Sequence, residues 1–141
     1  MGLNESGSMA LTPEDRLLIH ELIGLHGHLM DDGEFQRLDE LFTADVVYDV
    51  EAFGLGELHG RDAIARAALA LGDGNPLGHH VTNVVINEVD DNVVRVRSKG
   101  IGIRVDGSSG TVVYDDLVRR SKEGWRIARR TVVARRTPLH G

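Results

Sequence analysis

Residues 93–105 read VVRVRSKGIGIRV. Apolar and charged residues alternate there with the two-residue period of a strand that has one dry and one wet face. Val94, Val96 and Ser98 share one phase, whereas Ile101, Ile103 and Val105 share the other. A phase flip inside one strand predicts a bulge near Lys99-Gly100, and bulges bend sheets. Asp90-Asp91-Asn92 before the stretch and Asp106-Gly107 after it are turn-forming. Strands are therefore expected on both sides, over residues 79–89 and 111–120. A last strand over 125–137 returns through Ser121-Lys122-Glu123-Gly124.

The helices come earlier in the chain. Thr12-Pro13-Glu14-Asp15 combines a capping hydroxyl, a proline suited to the first helical position and acids suited to the positive helix end. Behind it Leu18, Leu22, Leu25 and Leu29, with Ile19, Ile23, His26 and Met30, recur at helical spacing. Asp31-Asp32-Gly33 ends this helix. A short second helix carries Phe35, Leu38, Leu41 and Phe42, and residues 46–50 read as a strand. Gly54, Gly56 and Gly60 mark a loop, residues 62–71 a third helix, and Gly72-Asp73-Gly74-Asn75-Pro76 its break. The fold class is α+β: a cone-shaped, curved antiparallel sheet wrapped around three N-terminal helices. Such a sheet can enclose an apolar pocket. The expected organisation is a Gly/Ser-rich leader over 1–10, one domain over 11–138 and a tail over 139–141.

The chain has 141 residues, six aromatics, seven histidines and no cysteine. That length suits one domain with a real core. Disulfides, thiolate nucleophiles and thiolate metal sites are excluded. No run approaches the 18 apolar residues of a membrane span. The first residues lack a secretory pattern, so cytoplasmic residence is expected. Met1-Gly2 with Ser6 fits a myristoylation pattern only formally, and Met9 could equally be the native start. The net charge of −6 is unevenly spread: residues 1–50 carry eleven acids and two bases, residues 92–141 four acids and twelve bases. The basic half could suggest nucleic acid. Its arginines alternate with apolar residues, however, so they are expected on the wet face of the strands, near acidic helices. Few aromatics also argue against a single-stranded nucleic-acid platform, and no nucleic-acid or membrane partner is expected. His26 and His28 face different ways on a helix, His79 and His80 diverge on a strand, and no HExxH, phosphate loop or GxSxG occurs. No metal and no cofactor are expected.

Several stretches together resemble the SnoaL-like family of the nuclear-transport-factor-2-like superfamily. They are Asp31 with Phe35 and Arg37-Leu38-Asp39-Glu40-Leu41-Phe42, then Leu58-His59-Gly60-Arg61-Asp62-Ala63-Ile64 and His79-His80-Val81-Thr82-Asn83. The hairpin Tyr114-Asp115-Asp116-Leu117-Val118-Arg119 with Gly124-Trp125-Arg126-Ile127 completes the set. The likeness covers about residues 12–137 and implies the fold above, in its barrel-like form. The superfamily hosts dehydratases, dehydrochlorinases, isomerases, polyketide cyclases and non-catalytic proteins, so the site is argued separately.

The resemblance implies a working pair, Asp31 at the end of the first helix and His79 on the histidine-bearing strand. A carboxylate accepting from one ring nitrogen fixes the tautomer and raises the basicity of the other. That other nitrogen can move a proton to or from carbon. Taken alone, Asp31 also reads as a turn residue, and only one of His79 and His80 can face a cavity. His26 interrupts the apolar stripe and needs a partner if buried; in the dehydrochlorinase-like pattern a lysine stands there. Met30 stands where the scytalone-dehydratase-like pattern has a tyrosine, and Ile101 and Ile103 occupy the region of that pattern's second histidine. Arg130, in phase with Val132 and Ala134, could anchor an anionic group or pair with a helix acid. Asn83, in phase with His79, could orient a carbonyl, and Tyr48 or Tyr114 could serve as an acid. The expected function is a cofactor-independent lyase or isomerase acting on a small hydrophobic cyclic substrate. The alternatives are a non-catalytic ligand-binding protein and a small structural subunit of a ring-hydroxylating dioxygenase-like complex. The resemblance also implies a homo-oligomer, dimer or trimer, formed through the outer sheet face.

Overall fold

The computed structural model describes residues 11–90 and 92–139. The leader over 1–10, with the myristoylation pattern and the choice of start, lies outside them, as do His140 and Gly141. The first helix, α1, spans Pro13–Asp32. Thr12 accepts from the Asp15 amide at 3.0 Å, and the Asp15 carboxylate accepts from the Thr12 amide at 3.0 Å. This reciprocal cap satisfies two amides that a helix start leaves open. Asp15 also accepts from Trp125 Nε1 and from Arg120, both at 3.2 Å, so the cap ties α1 to the C-terminal hairpin. Gly33, at φ 67°, closes the other end in the left-handed conformation that glycine tolerates best.

A 3-10 helix, Phe35–Glu40, replaces the short second helix. Strand β1 (Phe42–Asp49) starts four residues before the expected position. β2 (Glu57–His59) is a short strand where only a loop was expected; Gly54 and Gly56, at φ 76° and 66°, allow the tight return to β1. α2 covers Arg61–Leu71. The long strands are β3 (Gly78–Glu88), β4 (Val93–Ile103), β5 (Ser109–Ser121) and β6 (Gly124–Arg135).

All six strands form one curved sheet in the order β2-β1-β6-β5-β4-β3. Two expectations are corrected here. The sheet does not close into a barrel: β2 and β3 are its edges. Nor is it wholly antiparallel, because β1 runs parallel to β6, with Tyr48 opposite Arg130. A parallel pair needs a long crossover, here everything from β2 to β5.

The bulge also moves. β4 pairs with β5 without interruption from Val93 to Ile103. In the β3–β4 pair the irregularity falls on β3 between Thr82 and Val85, opposite Ser98, where Asn83 adopts φ 58°; further register shifts lie in the β1–β6 and β5–β6 pairs. In β4 the inward phase simply continues through Val94, Val96, Ser98 and Gly100. Gly100 sits under Tyr114: a β-carbon there would lie 2.5 Å from the tyrosine ring.

The core forms where Ile19, Leu22, Ile23 and Leu29 of α1 meet Val94, Val96, Val118 and Ile127 of the sheet. Leu18, expected on the same stripe, is 47% exposed. Acids and arginines meet largely between strands rather than at the helices: Asp45 and Asp49 of β1 pair with Arg119 and Arg129, and Glu57 of β2 with Arg129, whereas Asp15 of α1 pairs with Arg120. Among the described residues no helix is long and apolar enough to cross a membrane.

Candidate active site

α1 ends over the start of β3, and this places Asp31 beside His79. Asp31 Oδ1 lies 2.5 Å from His79 Nδ1, and Asp31 Oδ2 accepts from the His79 backbone amide at 3.0 Å. An ionised carboxylate can only accept, so Nδ1 donates to Asp31, and in the neutral ring Nε2 is then the nitrogen left with a free lone pair. The side chains of His79 and Asp31 remain 22% and 21% exposed, so the pair sits where solvent reaches it. His80, its strand neighbour, is exposed, as the alternation requires.

Deeper in, His26 is 1% exposed. Its ring lies 6.3 Å from that of His79, 6.2 Å from Tyr48 and 6.0 Å from Tyr114. Tyr48 Oη is 3.4 Å from His26 Nε2. Burial first, then Arg130 and His79, pushes His26 well below the usual histidine range, so it is neutral near pH 7. Burial raises the phenols of Tyr48 and Tyr114, with Arg130 opposing, so both stay protonated.

Arg130 and Asp116 face each other across β6 and β5 and are both 0% exposed. Nε and Nη2 of Arg130 donate to the two carboxylate oxygens at 2.7 and 2.8 Å. Burial opposes the charge on Arg130, but Asp116 outweighs it and keeps the guanidinium protonated. The Tyr114 ring lies 4.1 Å beneath the guanidinium carbon. Among the described residues His26 Nδ1, Ser98 Oγ and Arg130 Nη1 have no hydrogen-bond partner. Buried polar atoms without protein partners are uncommon, and each of these can take a water or another polar group.

The structure thus brings together Asp31, His79, His26, Tyr48 and Arg130 from the sequence reading. Arg130 pairs with a strand acid, not a helix acid. Asn83 does not join them. The β3 bulge inverts the strand's phase after Val81, leaving Asn83 exposed and Val84 and Ile86 turned inward. Met30 is partly buried against the hydrophobic core. Asp116 and Ser98 were missed; their signal was a polar residue in a buried phase, between Tyr114 and Val118 and after Val94 and Val96. Among the described residues no three His, Asp or Glu side chains converge as a metal-ligand set. An open cleft lined by Asp39, Thr43, Arg61, Lys122 and Arg126 includes none of the candidate residues.

Comparison with known proteins agrees with this fold. Residues 12–131 match the model of the SnoaL-like domain. No curated protein matches the chain. An NTF2-like protein with a cystatin-like fold from Novosphingobium aromaticivorans is 30% identical, with 86% of this chain and 82% of that one covered and a TM-score of 0.71. A putative scytalone dehydratase from the same organism is 22% identical, covering 92% and 93%, at a TM-score of 0.71. The hexachlorocyclohexane dehydrochlorinase LinA-type3 from Novosphingobium barchaimii is 21% identical, covering 92% and 96%, at 0.72. With its three helices on one curved six-stranded sheet, the chain belongs to the SnoaL-like domain family and has an NTF2-like fold.

Proposed function

We propose that the protein is a cofactor-independent lyase or isomerase that moves a proton on a small hydrophobic, cyclic substrate. The observation that carries this reading is the Asp31–His79 contact, which in the neutral ring favours the tautomer with Nδ1–H towards Asp31 and Nε2 available as the base. Nε2 takes a proton from carbon. The electron pair of that C–H bond forms a double bond as a leaving group departs, or moves onto a conjugated oxygen. The imidazolium, held by Asp31, then returns the proton to the leaving group or to another carbon. Arg130 Nη1 and the Tyr48 hydroxyl are donors for the oxygen or leaving group that gains charge. His26, neutral and buried, supplies a further polar edge. The structural likeness to a protein named a dehydrochlorinase and to one named a putative dehydratase supports small-molecule lyase chemistry without naming the substrate.

The test is turnover of a panel of cyclic alcohols and ketones by the protein and by His79→Ala and Asp31→Asn. Loss of a general base lowers the rate by about 10²–10⁴. Undiminished turnover in both variants contradicts the mechanism. Val85, Ile101, Leu117 and Val133, all exposed on the long strands, support self-association. A single-chain mass by light scattering at micromolar concentration contradicts it.

A further inference from the structure

Gly27 precedes Asp31 by four residues, so the two share the face of α1 that meets β3. A β-carbon built on Gly27 would lie 2.9 Å from the carbonyl oxygen of His79 and 3.6 Å from its Cβ. The carbonyl belongs to the residue whose backbone amide and Nδ1–H both go to Asp31. One turn of helix thus touches His79 twice, through the bare backbone of Gly27 and through the Asp31 carboxylate. The aspartate side chain is short and cannot stretch to restore the contact if the helix moves outward. The obstacle to a side chain at 27 is backbone, which cannot swing aside.

We propose that Gly27 is a positioning residue for the Asp31–His79 pair: its missing side chain seats α1 close enough to β3 for one carboxylate to hold both the amide and the imidazole of His79. This rests on the proton-transfer reading of that pair for its relevance to turnover, but not for its test. Gly24 supplies the control. It lies on the same helix, and a β-carbon there meets nothing within 4 Å. Alanine favours the helix at both positions, so only Gly27→Ala should disturb His79.

The experiment is histidine imidazole and backbone-amide NMR on the full chain, with Asp31→Asn as the reference for a broken clamp. The protein and Gly24→Ala should show the hydrogen-bonded Nδ1–H resonance of His79 and slow exchange of its amide. In Gly27→Ala the resonance should vanish, and the amide should exchange about tenfold faster, as when one such bond is lost. The double variant Gly27→Ala, Asp31→Glu should recover the resonance, because the longer carboxylate spans the widened gap. An unchanged His79 signature in Gly27→Ala overturns the proposal. So does a Gly27→Ala chain that fails to fold with or without Asp31→Glu, since the glycine then serves packing alone. An intact clamp in the wild-type protein with turnover unaffected by His79→Ala would reject the catalytic reading while leaving the positioning result standing.

Discussion

Two carboxylates in this molecule each hold one nitrogen-bearing side chain, and they do so in opposite settings. Asp31 reaches His79 across a helix–strand contact, with both side chains about one-fifth exposed. Asp116 holds Arg130 across two hydrogen-bonded strands, with both at 0% exposure. The first pair can exchange protons with solvent or substrate. In the second, Asp116 keeps the guanidinium protonated while burial pushes the Asp116 carboxyl itself up. One pair suits proton transfer, the other is a buried ion pair whose two charges largely cancel.

Breaking the buried pair should have the largest effect on stability. Asp116→Ala strands the Arg130 charge and should cost about 3–5 kcal/mol, read as a lower urea midpoint. The double variant Asp116→Leu, Arg130→Met should recover much of that loss, since neither charge then remains buried. A single variant as stable as the parent would show that the pair is not desolvated. At the other pair, His79→Ala should leave the urea midpoint nearly unchanged while turnover falls. A large destabilisation there would erase the contrast between the two regions.

Gly100→Ala should come next, at about 1–3 kcal/mol of overpacking against the Tyr114 ring. Tyr114→Leu in the same chain should relieve it, and thermal unfolding measures both. A pH effect follows from His26. Its folded pKa lies well below the ordinary 6.5, so the unfolded chain binds the proton first as pH falls. Stability should therefore drop as pH falls below about 6.5, by up to about 1.4 kcal/mol per pH unit. Stability unaffected by His26→Gln in that window would place the proton elsewhere. The smallest effect belongs to the exposed pair Arg95–Asp115, 2.6 Å apart. Arg95→Ala should lower the urea midpoint only slightly and should matter still less in high salt.

The parts legible in the sequence were those governed by local rules. Thr12-Pro13-Glu14-Asp15 forms the cap it spells, and the alternating strands fall within a few residues of their expected ends. What was not legible depended on partners distant in the chain. Gly100 continues the buried phase only because Tyr114 of β5 fills the space above it, so the apparent flip was a missing side chain. The real bulge at Asn83 removed that residue from the site. The parallel β1–β6 pairing joins segments far apart in the chain, and Asp116 meets Arg130 only past a register shift between Leu117 and Val118 of the closing hairpin. Asp31 and His79 were found through the family resemblance, and the helix seat at Gly27 appeared only with the backbone geometry.

The central claim is that His79, held by Asp31, takes a proton from carbon. The most direct measurement is deuterium uptake from D₂O into a panel of cyclic ketones, followed by NMR with the protein, His79→Ala and Asp31→Asn. The predicted result is uptake at a carbon next to the carbonyl with the parent protein, and its loss to the uncatalysed rate in both variants. Uptake that persists at the parent rate in His79→Ala would contradict it.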